Sequence, residues 1–222
     1  MNKIDFSMSM SEIQLRDLLS TQLRNFSFLD FLTEEPLIDE FLQISLDRVS
    51  YCFSFISNKY YRNNGSVYFN PLHTSQYGIF LYYLANSIWR KYGSIPLCDK
   101  LYGLSKMINA LDLYYEVNMP DVFFMDHPVG TVLGRAQYGH FFVFSQNCTV
   151  GNNRGVFPII GDYVTLTMGA SIIGKCNVGN RVIIGAGATV KDQDIPDCSL
   201  VFGDSPNLII KSRPAIYFDL KR

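Results

Sequence analysis

The chain lacks an excess of charge of either sign. Its 222 residues carry 19 Lys and Arg against 20 Asp and Glu, for a net charge of −1. The balance is even along the chain, with 10 basic and 10 acidic residues up to residue 108 and 9 and 10 after it. No cationic surplus is available to neutralise a phosphate backbone, so no nucleic-acid partner is expected. Cysteines are few: Cys52, Cys98, Cys148, Cys176 and Cys198. Their number is odd, their spacing wide and no CxxC occurs, which argues against a disulfide framework or a cysteine zinc site and for a reducing compartment. The three histidines, His73, His127 and His140, show no ligand spacing, so no metal is expected. Long apolar runs are missing too. The longest, near Tyr77–Leu84, is short and Tyr-rich, so no integral membrane segment is expected. The N-terminus is polar and has no apolar core of a signal peptide. These absences lead to the expectation of a soluble, cytoplasmic protein.

What is present is enough apolar material for a core, 48% hydrophobic against 18% charged residues. In the first half the apolar residues recur at helical steps. Leu15, Leu18, Leu19, Leu23 and Phe26 mark an amphipathic helix within residues 9–33, with Ser11 as its cap and Glu12 in the first turn. Residues 36–58 repeat the pattern after Pro36. The stretch Tyr60–Pro71, with Asn63, Asn64 and Gly65, reads as a loop. Ser75–Tyr92 and Pro96–Met107 read as two more helices, separated by Gly93-Ser94. Residues 1–108 are therefore expected to form a helical domain.

The second half changes period. Ile160, Leu166, Ile172, Val178, Ile184 and Val190 follow one another at steps of six, and Val164, Ala170, Cys176, Val182 and Ala188 stand four residues after the first five. A period of six fits neither an α-helix nor a lone strand; it marks a parallel β-helix built from hexapeptides. The aliphatic side chain points into a triangular prism and the small one fits its corner. Stacked coils then bury one continuous core. Run backwards, the register passes through Val150, Phe144, Tyr138 and Val132, with Cys148 and Ala136 as small residues. The step from Val150 to Ile160 is ten, so residues 151–158 should bulge as a loop. Leu113, Met119 and Met125 continue the period further back, with one extra residue before Val132. About four coils are expected over residues 110–195, at three hexapeptides per coil. The fold class is thus α+β: an N-terminal α-helical domain, a left-handed parallel β-helix over residues 109–200, and a C-terminal tail over 201–222.

These repeats resemble the hexapeptide-repeat acyltransferases. With the preceding helices and the segments Ile184-Gly185-Ala186-Gly187-Ala188 and Gly203-Asp204-Ser205-Pro206, they are most similar to the serine acetyltransferases. The resemblance implies an acetyl-CoA-dependent acetyltransferase with no metal. It also implies a homotrimer whose acetyl-CoA site lies between subunits, and the aromatic-rich helical half allows a dimer of trimers. Transfer to a hydroxyl needs a general base, and imidazole suits that work. The family carries an Asp-His pair where this chain has Asp126-His127, and an aspartate fifteen residues earlier, here Asp112, orients the base. His127 and Asp112 are the expected catalytic pair, and Asp126 is the expected contact to the acceptor. His140 is expected at a solvent-facing corner, and His73 in a structural or surface role.

The resemblance places the pantetheine arm of acetyl-CoA along Gly151, Asn152, Met168 and Ala186. Met168 stands where the family has Ala. Lys211 and Arg213 would meet the phosphates, and a backbone N–H near Gly151 or Asn152 would meet the oxyanion. Two departures stand out. The family's Arg-His pair before a proline, which holds the serine carboxylate, is replaced by Val156-Phe157 before Pro158. A carboxylate of the family's helical domain falls near Arg62. A site that must hold a carboxylate needs a cation, so the expected acceptor is a saccharide packed against Phe157, in surface-polysaccharide synthesis. The alternatives are a divergent serine acetyltransferase with Arg154 as the missing cation, an amino-sugar N-acetyltransferase, and a scaffold whose site has decayed.

Overall fold

The change of period is a change of architecture. The computed structural model describes residues 4–30 and 32–215. It divides into two compact units, one ending at Asn109 and the next beginning at Ala110.

The first unit opens with a short strand, β1 (Phe6–Met8), and the helix α1 (Glu12–Phe26). Ser11 caps α1 as expected and does so reciprocally. Its hydroxyl accepts from the Gln14 N–H, and its own N–H donates to the Gln14 side chain at 2.9 Å. Leu15, Leu19 and Leu23 form the buried stripe. Helix α2 (Glu35–Ser54) starts with Pro36 in its first turn, where the missing N–H costs nothing. The expected loop after it contains a hairpin instead, β2 (Arg62–Asn63) with β3 (Ser66–Phe69). Asn64 and Gly65 make its turn at φ 49° and 86°, as a two-residue hairpin loop requires. Strand β1 joins β3 in parallel to complete a three-stranded sheet. Helix α3 (Thr74–Tyr92) is buried around most of its circumference, and α4 (Pro96–Asn109) ends the unit.

The second unit is a parallel β-helix of five turns, one more than the repeat count suggested. The first turn carries β4 (Asp112–Leu113) and β5 (Phe123–Met125). The second carries β6 (Val132–Leu133), β7 (Gln137–Tyr138) and β8 (Phe142–Phe144). The third carries β9 (Thr149–Gly151), β10 (Ile159–Ile160) and β11 (Thr165–Leu166). The fourth carries β12 (Ser171–Ile173), β13 (Asn177–Val178) and β14 (Ile183–Ile184). The fifth carries β15 (Thr189–Lys191) and β16 (Ser199–Phe202), with Ile195 bridging to Val178 between them. Residues beyond 200, expected as a tail, extend the fold: β17 (Ile209–Ser212) folds back antiparallel on β16.

Three sheets result. One aligns β4, β6, β9, β12 and β15; the second aligns β7, β10 and β13; the third aligns β5, β8, β11, β14 and β16, with β17 at its edge. The period-six aliphatics form the inner columns. Val150, Ile172 and Val190 stack in one, and Phe144, Leu166, Ile184 and Val201 in another. The small residues Val164, Ala170, Cys176, Val182 and Ala188 are all buried. One register assignment changes. Val132 is 43% exposed, and its neighbour Leu133 is buried and pairs with Val150. The corner before β6 is therefore longer than the simple repeat allows.

Candidate active site

The β-helix has three columns of corners. The first lies between the β5 sheet and the β4 sheet and contains Asp126–Thr131, Ser145–Cys148, Thr167–Ala170 and Gly185–Ala188. Backbone bonds stack these turns: Asn147 N–H to Val129 O, Gly169 N–H to Gln146 O and Gly187 N–H to Met168 O. The second lies between the β4 sheet and the β7 sheet and contains the 151–158 loop, Gly174 and Asp192. The third, between the β7 and β8 sheets, contains His140, Phe141, Tyr163 and Arg181.

Asp126 and His127 sit on the first column. The Asp126 N–H donates to Phe144 O, which fixes the corner on the turn above. His127 has φ 52°, and the left-handed turn carries its side chain outward, 87% exposed, beside the 51% exposed Asp126. Its Nε2 lies 3.8 Å from Asp126 Oδ1. That is too long for a hydrogen bond. Asp112 lies one turn below, at the start of β4. Its N–H donates to Thr131 O, and its strand partner is Val132. No hydrogen bond joins it to the imidazole: the carboxylate within 4.0 Å of His127 among the described residues is that of Asp126.

Met168 and Ala186 lie on the same column, above His127. At one strand spacing per turn they are about 10 and 14 Å from it. Met168 is 56% exposed, and its carbonyl accepts from Gly187. A Cβ at Gly187 would meet nothing within 4 Å, so the edge is open there. Lys211 stands on β17 with its Nζ 5.8 Å from the centre of the Phe202 ring, and that ring packs on Gly185. Arg213 donates its N–H to Cys198 O, which draws the strand end toward the third column.

Gly151, Asn152, Arg154 and Phe157 belong to the second column. The loop is a hairpin: Asn153 and Val156 exchange both backbone bonds at 3.0 Å. Arg154 and Gly155 turn the chain at φ 51° and 80°. Gly155 N–H donates to Asn152 Oδ1 at 3.2 Å. A Cβ at Gly151 would meet nothing within 4 Å. Phe157 is 40% exposed, and Arg154 makes no ion pair among the described residues. The structure thus gathers the expected site residues into two groups. They lie at opposite ends of a face whose strands β9, β12 and β15 are three residues long, a separation of about 10 Å.

His140 lies at an exposed corner, as expected, with its N–H on Asp162 Oδ1 at 2.7 Å. His73 is structural: it is the N-cap residue of α3, and its ring lies 5.9 Å from that of Tyr61. Arg62 donates to Ser54 O at 2.7 Å, so it belongs to the helical unit's own framework. The sequence reading missed Gly174 and Asp192 behind the hairpin, and their contact with Asn153 within it. Asp192 follows Gly174 by eighteen residues, one regular turn, so stacking the sequence in turns of that length would have placed them together.

A helical unit followed by a five-turn parallel β-helix, with an aspartate-histidine pair exposed on one corner column, has the architecture of a hexapeptide-repeat acyltransferase. The proteins it is similar to are serine acetyltransferases. No protein-family model matches the sequence. The serine acetyltransferase of Bacillus licheniformis is 26% identical over 133 residues, covering 53% of this chain and 56% of that protein. The match therefore spans about half the length of such curated relatives. A solved serine acetyltransferase in complex with CoA has a TM-score of 0.65 at 18% identity, covering 90% of this chain and 84% of that one. The Neisseria gonorrhoeae serine acetyltransferase in complex with serine has a TM-score of 0.62 at 22% identity, covering 85% and 81%.

These findings overturn the saccharide acceptor expected from the sequence. That expectation rested on the loss of a cation at Val156-Phe157. Arg154, the cation the alternative reading names, stands at the turn of the hairpin two residues before Val156.

Proposed function

We propose that the chain is an acetyl-CoA-dependent O-acetyltransferase whose acceptor is L-serine. The observation that carries this reading is the exposed Asp126–His127 pair on a β-helix whose relatives are serine acetyltransferases. Acetyl-CoA would lie along the open edge formed by Met168, Ala186 and Gly187, with Lys211 toward its phosphates. There it would supply the activated acetyl thioester. A cytoplasmic location fits that co-substrate.

His127 takes the proton of the serine hydroxyl as the oxygen attacks the thioester carbonyl. The C–S bond then breaks, and the CoA sulfur leaves with the proton carried by the imidazolium. Asp126 stabilises that cation. The imidazole is held by no hydrogen bond among the described residues, so it can turn toward Asp112 in the assembled site, where an orienting carboxylate raises the fraction of the useful tautomer. Arg154 takes the serine carboxylate, and Phe157 walls the acceptor.

The two groups of site residues occupy different corner columns. We therefore assign the complete site to the junction of two copies in a homotrimer, with the His127 column of one copy facing the 151–158 hairpin of the next. Such head-to-tail contacts close into a ring. The test of the acceptor is thiol release from acetyl-CoA with L-serine, homoserine, glycerol and free sugars in parallel. Serine is expected to give the highest kcat/KM; turnover confined to the sugars would overturn the reading. Mixing two inactive variants, His127→Ala and Arg154→Gln, after joint unfolding and refolding tests the shared site. Recovered activity is expected, because mixed trimers contain junctions with both residues intact.

A further inference from the structure

The hairpin carrying Arg154 is an insertion of four residues into a regular repeat, and such an insertion would normally swing freely. Here it is fastened to the two turns above. Gly174 N–H donates to Gly151 O at 2.9 Å, and Asp192 N–H donates to Ile173 O at 3.0 Å. The Asp192 carboxylate then spans the corner. Its Oδ1 accepts the Lys175 N–H at 2.8 Å and its Oδ2 accepts Asn153 Nδ2 at 2.5 Å. The fit requires a glycine between them. A Cβ at Gly174 would lie 2.1 Å from Asp192 Oδ1 and 2.6 Å from Asn153 Cβ. Asn153 is the residue before Arg154, so the bond that holds Asn153 also sets where the guanidinium begins. The carboxylate is held below the ordinary range, chiefly by the Lys175 N–H and then by Asn153; the charges of Lys191 and Arg154 add to this.

We propose that Asp192 is a positioning residue for acceptor specificity, acting through Asn153 to aim Arg154 at the acceptor's carboxylate. The proposal rests on the reading of the chain as a serine acetyltransferase and deepens it. Asp192 does not touch substrate. It converts a flexible insertion into a fixed arm, so the cation is preorganised before the acceptor arrives. The bond between Asn153 and Asp192 lies outside the β-ladder that holds the turns together. Breaking it should therefore loosen the arm and leave the solenoid folded.

The experiment compares L-serine with L-serinamide, which keeps the hydroxyl and loses the carboxylate. Wild type is expected to prefer serine. Asp192→Ala and, independently, Asn153→Ala are expected to lower the serine-to-serinamide ratio of kcat/KM about tenfold, with serinamide turnover nearly unchanged. The double variant Asn153→Asp with Asp192→Asn restores a donor and an acceptor in exchanged positions, and is expected to recover most of the ratio. An unaltered ratio in both single variants, with only a lower melting temperature, would overturn the proposal and leave the function standing. No transfer by wild type to any amino acid would overturn the function and the proposal with it.

Discussion

The turns of the β-helix above Ile160 differ from those below it. Above, the inward residues recur every 18 positions up to Val190, as from Leu166 to Ile184 and from Ile172 to Val190, then step by 17 from Ile184 to Val201, and all are aliphatic. Below, the same columns step by 19 from Met125 to Phe144 and by 20 from Leu113 to Leu133. Aromatic residues fill the lower interior. Phe142 stands one turn beneath Val164, in the place of a small corner residue, and its ring lies 5.9 Å from that of Phe144. The regular turns are scaffold, and the departures from regularity coincide with the proposed site. The long corner before β6 carries Asp126 and His127, and the insertion after β9 carries Arg154 and Phe157.

The largest effect on stability should come from the lower interior. Phe142→Ala is expected to cost about 3–5 kcal/mol and Ile184→Val in the upper turns about 0.5–1.5 kcal/mol, read by urea unfolding. Equal costs would break the contrast between a widened, aromatic lower prism and a regular upper one. A smaller contrast lies between two glycines of positive φ. Gly174→Ala meets the Asp192 carboxylate as well as an unfavourable backbone, whereas Gly187→Ala meets only the backbone. The first should cost about 2–3 kcal/mol and the second about 1–2 kcal/mol.

The sequence displayed the upper turns almost completely, because a repeat of six with aliphatic and small partners has one physical reading. It displayed the lower turns less well. Aromatic residues at the small position and uneven corners hide the register, so the period of six points to Val132 where Leu133 faces inward, and to four coils where there are five. The Asn64-Gly65 hairpin was legible in principle, since that dipeptide supplies two residues tolerant of positive φ. Tyr, Val and Ser around it do not alternate strongly enough to call for strands. In the site, the Asp126–His127 pair was visible as a dipeptide. The Asn153–Asp192 bond was not, because it joins residues 39 apart that only the stacking of turns brings together.

Acid should reveal the same bond more gently. Asp192 titrates below its ordinary value near 3.8 in the folded chain, held there first by the Lys175 N–H and then by Asn153. Its contribution to stability is therefore present above the unfolded value and lost as pH falls through the folded one. Melting temperatures measured from pH 5 to pH 2 are expected to converge for wild type and Asp192→Asn at the acid end. A constant gap would mean that the carboxylate's charge is not what holds the hairpin.

The smallest effect concerns the thiols. Burial pushes the Cys98 thiol up to about 11 and raises those of Cys148 and Cys176, and Cys52 is fully buried. A thiol reagent at pH 8 is expected to reach only Cys198 in the folded chain and all five after unfolding. Rapid labelling of Cys176 would show that the upper turns are less tightly closed than their regular stacking indicates.

The measurement that tests the central claim most directly is acetyl-CoA thiol release in the presence of L-serine, for wild type and His127→Ala. Because the imidazole is exposed and carries no hydrogen bond among the described residues, the variant is expected to keep its melting temperature. Wild type should transfer acetyl to serine, and the variant should lose about 10²–10⁴-fold of that rate. Serine-independent release in wild type, or equal rates in the two proteins, would contradict the account.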